Sequence, residues 1–124
     1  MSVLSKPAAP THSLRGATFT SLATPARGTK STSVWSVELA PAHPATPHQV
    51  TQEEIFIVTS GRASVRIAGE QYFANAGDAI VVPANTNFEI SALGTKPLRA
   101  ICCLPVGGQA RLTSGSAFVP PWAL

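Results

Sequence analysis

The chain has 124 residues, 44% of them hydrophobic and 12% charged. That is enough for one domain with a real core, and the balance excludes a disordered chain. Eleven Pro and nine Gly exclude long helical bundles, and nine Lys and Arg against six Asp and Glu leave a mild net charge of +3.

In chain order, residues 1–16 read as a polar, Pro-containing arm whose first residues are mobile. A first short strand is predicted over Ala17 to Ala23, then a loop with Pro25 and Gly28. Thr32 to Ala40 alternates with period two: Trp35, Val37 and Leu39 on one face, Ser36 and Glu38 on the other. Pro41 to Pro47 is a Pro-rich loop. Further strands are predicted over Glu54 to Thr59 and Arg62 to Ile67, with a hairpin turn at Ala68-Gly69-Glu70. The run AIVVP after Gly77-Asp78, then Phe88 to Leu93 and Leu98 to Leu104, complete the set. The domain is expected over residues 17–106 and a tail over 107–124, packing on the barrel or on a partner subunit. Seven or eight short strands at this spacing imply an all-β fold, antiparallel and closed to hide its edges.

The basic residues Arg15, Arg27, Lys30, Arg62, Arg66, Lys96, Arg99 and Arg111 are scattered, so no nucleic-acid partner is expected. Cys102 and Cys103 are adjacent, so a strand sends them to opposite faces and a bridge between them would be strained. A reducing compartment fits. No stretch of about 18 apolar residues exists, and residues 1–10 lack a signal-like apolar run. A soluble cytoplasmic protein without a membrane partner is the expectation.

The chemistry concentrates in HQVTQEEIFIVTSG, His48 to Gly61. It resembles the first motif of the cupins: Gly, five residues, His-x-His, three residues, Glu, six residues, Gly. On this chain the positions are Ala42, His48, Val50, Glu54 and Gly61, of which His48, Glu54 and Gly61 match. The second cupin motif falls on Gly77, Pro83, Asn85, Phe88 and Ala92, of which Gly77 and Pro83 match. Fifteen residues, 62–76, separate the two, and the resemblance covers about Ser33 to Pro105. Asn85 stands for a turn glycine and is among the few residues that tolerate positive φ.

The resemblance implies a cupin double-stranded β-helix, or jelly-roll barrel, and a homodimer. In metal-binding cupins four motif side chains hold one metal; here those positions are His48, Val50, Glu54 and Phe88. Val and Phe offer no lone pair, and a stable transition-metal site wants three or four protein ligands. The resemblance therefore implies the fold without its usual metal, and no cofactor is expected. A divalent transition metal would need His43 to join His48 and Glu54 as a rescue ligand, against the simpler reading of His43 as a solvent-exposed loop residue. Glu53 is expected on the opposite face from Glu54, and His12 has no expected role.

If the segment is extended, His48, Gln52, Glu54 and Phe56 share the interior face. With Phe88 they form the expected ligand-binding set, an apolar, aromatic-lined cavity holding a small molecule. Three functions remain open: a metal-free binding protein, an isomerase or cyclase using His48 and Glu54 as acid and base, and a metal-dependent dioxygenase rescued by His43. A structural or partner-binding role stands beside them, as does plain core filling by Phe88, Phe56 and Trp35. Trp122, after two prolines, is expected to cap the barrel mouth, pack on a partner, or dock on its own domain.

Overall fold

A computed structural model describes residues 2–113 and 115–124; Met1 of the arm and Ser114 of the tail lie outside the described residues. Eleven strands form in these: β1 (His12–Leu14), β2 (Ala17–Ala23), β3 (Thr32–Leu39), β4 (His48–Val50), β5 (Glu54–Ser60), β6 (Arg62–Ile67), β7 (Glu70–Asn75), β8 (Ala79–Val82), β9 (Phe88–Ala92), β10 (Leu98–Pro105) and β11 (Ala110–Leu112). They build a six-stranded sheet, β1-β2-β3-β10-β5-β8, and a five-stranded sheet, β11-β4-β9-β6-β7. Every pairing within them is antiparallel. The architecture is antiparallel and all-β, as the strand spacing implies, and is the jelly roll that the resemblance implies. No helix among the described residues is long and apolar enough to cross a membrane.

Period two decides which side chains enter. Trp35 and Val37 of β3, Phe56 and Val58 of β5, Ala63 and Val65 of β6, Val82 of β8, Phe88 of β9 and Leu98, Ala100, Cys102 and Leu104 of β10 are all buried between the sheets. Each large side chain there contributes about 1.5–3 kcal/mol relative to exposure. Trp35 is thus core, and the two cysteines part as adjacent strand residues must: Cys102 is buried, Cys103 half-buried, both free thiols.

Turn chemistry follows the motif positions. Gly61 sits at φ +77°, and a Cβ there would collide with the Pro97 carbonyl oxygen, so only glycine fits. Asn85 takes φ +57°, the conformation for which its tolerance is needed. Ala42, where the first motif has glycine, also keeps a left-handed backbone at φ +59°. Both motif positions thus hold a left-handed backbone without a glycine.

The structure differs from the sequence reading at three short strands. β1, β4 and β11 have three residues each, too few to show a period; they exist because a neighbour strand supplies their hydrogen bonds. β1 lies inside the arm, and the Arg27 guanidinium, which donates to the carbonyls of Ser21 and Ser5, ties the arm to the domain. Beyond β11, Phe118 bridges back to Ala110, and a 3-10 turn over Pro121–Ala123 brings the chain end onto its own domain. Trp122 stacks on Phe19 with ring centres 3.6 Å apart, and the Oγ atoms of Ser21 and Ser33 donate to the carbonyls of Trp122 and Ala123.

Candidate functional site

Glu54 opens β5 and faces inward. Phe56, two residues on, shares that face, and Val82 is the cross-strand partner of Glu54 on β8. The Glu54 residue is only 5% exposed, yet its carboxyl receives no hydrogen bond among the described residues. Burial alone raises its pKa from 4.5 to about 8. At neutral pH it is a carboxylic acid, one donor and one acceptor without a protein partner. Among the described residues, Thr29 Oγ1 is the only unpaired polar side-chain atom wholly cut off from solvent, so the little exposure Glu54 retains includes its carboxyl oxygens. Burial also pushes the Cys102 thiol well above its usual range, and the nearby Glu54 adds to that rise.

His48 starts β4 in the other sheet, directly opposite Phe88 of β9. Cross-strand partners face the same side, so His48 joins buried Phe88 on the inner face. Their rings meet at 4.2 Å, and Phe88 meets Phe56 edge-on at 6.1 Å. His48 Nδ1 lies 2.8 Å from the Thr46 carbonyl oxygen. A carbonyl only accepts, so Nδ1 carries the proton and Nε2 keeps its lone pair. Desolvation lowers the His48 pKa, against a smaller upward pull from that carbonyl, so the ring is neutral at pH 7.

The arrangement is an uncharged polar pair flanking two aromatic rings. The ring chain from His48 through Phe88 to Phe56 spans the two sheets, and Glu54 lies one inward step along β5 from Phe56. His48 and Glu54 do not bond each other. Gln52 departs from the expected set: the chain bends at Thr51–Gln52 between the sheets, breaking the extended run on which its parity rested, and leaves Gln52 exposed. Glu53 is exposed as well. Thr46, which fixes the His48 proton, was not singled out from the sequence. The only local signal is Pro47, which disfavours helix and keeps Thr46 extended.

The residues do not fit the metal of the metal-binding cupins. Of the four donor positions, Val50 and Phe88 are apolar and each 2% exposed, and Glu54 is protonated. His43 does not stand with His48 and Glu54: its ring lies over Gly16 in the β1–β2 turn, and among the described residues no three His, Cys, Asp or Glu side chains gather as a metal-holding group. Two surface clefts lie elsewhere. One, of about 440 Å³, runs between the arm at Lys6 and Pro10 and the outer face at Thr18, Glu38 and Arg99; the other, of about 560 Å³, is bordered by Arg62, Gly94 and Lys96.

With this geometry in hand, comparison with known proteins assigns the class. The family model "Cupin domain" matches residues 35–104, more than half of the chain. The chain belongs to the cupin-domain family. An uncharacterised protein of Methanocaldococcus jannaschii is 34% identical over 53 residues, 43% of this chain and 42% of that relative, so the match spans under half of its length. Among solved structures, KdgF from Halomonas sp. is 24% identical, covering 78% of this chain and 86% of that one at a TM-score of 0.67. The polyketide cyclase RemF from Streptomyces resistomycificus is 17% identical, covering 91% and 82% at a TM-score of 0.70. At these identities the two structures establish the shared fold alone.

Proposed function

We propose that this cupin binds a small, uncharged, ring-bearing molecule carrying a hydroxyl or carbonyl, held by the Glu54 carboxylic acid and His48 Nε2 against Phe56 and Phe88, without a metal. The observation that carries the reading is Glu54: a buried carboxyl with no protein partner. Such a group costs stability, and buried polar side chains almost always have a partner. A ligand that pairs with it would offset that cost. A charged ligand is disfavoured because neither polar group carries a compensating charge at neutral pH.

A second reading rests on the same carboxyl. With a pKa of about 8, Glu54 holds and releases a proton near neutral pH, the condition for general acid–base catalysis. An isomerase or cyclase using Glu54 as acid and His48 as base fits that chemistry. Two copies are also expected to pair, because the outer face of β5, β8 and β10 carries Ile57 at 37% and Val81 at 50% exposure beside Ile101. Sedimentation would report a dimer that Ile57→Glu weakens; an unchanged monomer at high concentration overturns the pairing.

The test is a binding screen of uncharged phenols, aryl ketones and lactones near pH 7, read by NMR shifts of the Phe56 and Phe88 rings. Glu54→Ala and His48→Ala should each weaken any hit at least about tenfold, the loss of one buried hydrogen bond. Hits that bind both variants as tightly as the natural chain would remove the reading.

A further inference from the structure

The Pro41–Pro47 loop is seated as well as stiff. Its start is tied by the Ala40 amide, which donates to the Gly16 carbonyl at 2.9 Å. One residue into the turn, Ala42 holds a left-handed φ of +59°, a strained state for a residue with a Cβ that persists only where its surroundings enforce it. The next residue supplies the enforcement. The His43 ring lies on Gly16 so closely that a Cβ there would overlap it. Pro44 and Pro47 restrict the chain onward to Thr46, whose carbonyl accepts from His48 Nδ1 at 2.8 Å.

We propose that His43 is a positioning residue: packed on Gly16, it fixes the 41–47 loop so that the Thr46 carbonyl holds the proton on His48 Nδ1 and leaves Nε2 as an acceptor. His43 thus acts through the loop, by ring packing, and touches no ligand. A free neutral imidazole prefers its proton on Nε2, so the tautomer that the Thr46 carbonyl requires is one the loop selects. Selecting it has a functional consequence, because Nε2 can accept from a ligand hydroxyl only while Nδ1 carries the proton. Gly16 contributes the empty space in which the ring sits.

The functional meaning rests on the ligand reading above, but the test does not. It is made on the ligand-free protein by nitrogen-15 NMR of the His48 ring, where the protonated and unprotonated nitrogens resonate far apart. The natural chain should show the proton on Nδ1. His43→Ala should shift the population severalfold toward Nε2–H while the amide spectrum of β5 and β10 stays in place. His43→Phe, which keeps a ring on Gly16 and removes the imidazole nitrogens, should retain the natural tautomer. An unaltered tautomer in His43→Ala, or a switched one in His43→Phe, overturns the proposal. If His43→Ala does not fold, His43→Leu decides by the same measure: a partial shift supports the seat and no shift overturns it. Failure here leaves ligand binding by Glu54 and Phe88 untouched, and an absence of any ligand leaves the tautomer result standing.

Discussion

Two regions of the barrel bury polar groups, and they treat them differently. At the tail seat, Ser33 and Ser21 are buried and each donates to a tail carbonyl, at 2.7 and 2.8 Å. At the candidate site, Glu54 is buried and its carboxyl has no hydrogen-bond partner among the described residues. The first pattern is ordinary structure: a polar group enters the interior because a backbone partner waits there. The second lacks a structural purpose of that kind. The difference shows that burial of a polar side chain does not by itself mark a site; at Glu54 it is an ionisable group without a partner, beside His48 and Phe88 on the inner face, that points to one.

The largest expected effect separates the two regions by pH. The folded pKa of Glu54 is raised above its ordinary 4.5 to about 8, so between those values the native state binds more protons than the unfolded chain. Stability therefore falls as pH rises through that window, by up to about 5 kcal/mol if the whole shift is expressed. His48, whose pKa is lowered, works in the opposite sense and only below its ordinary 6.5. The descent from pH 6.5 to 8 therefore belongs to Glu54, and Glu54→Gln, neutral throughout, should flatten it and exceed the natural chain above pH 8. Urea unfolding across pH checks this; parallel curves for the two proteins would mean that Glu54 is paired or solvated after all.

At the tail seat, Ser33→Ala should cost about 1–3 kcal/mol at every pH, because it leaves the Ala123 carbonyl buried and unpaired. A pH-dependent loss, or none, would dissolve the contrast between the two regions. The smallest effect concerns the loop beside the site. Ala42→Gly relieves a left-handed alanine and should raise stability by about 0.5 kcal/mol, the steric gain partly offset by backbone entropy. A shift in the denaturation midpoint, with the His48 tautomer unchanged, is the expected pair of readings.

Much of the fold was legible. Strands with inward Trp35-Val37, Phe56-Val58 and Ala63-Val65 announce themselves by alternation, and β2 and β6 match their expected bounds. β1, β4 and β11 were not legible, since three residues carry no period and pairing partners are a tertiary fact. The site was legible in part. Motif spacing picked out His48, Glu54 and Phe88, and strand parity added Phe56; all four face inward. Parity misled at Gln52, because it assumes an unbroken strand and the chain bends to change sheets there. Thr46 acts through its backbone, which residue type does not reveal, and the seat of His43 on Gly16 joins residues far apart in sequence.

The account stands on the proton of one carboxyl. A carbon-13 NMR titration of the Glu54 side chain, in the ligand-free protein, measures it directly. A midpoint near 8 is the predicted result; a midpoint near the ordinary 4.5 would contradict it, since the carboxyl would then be charged and satisfied at neutral pH.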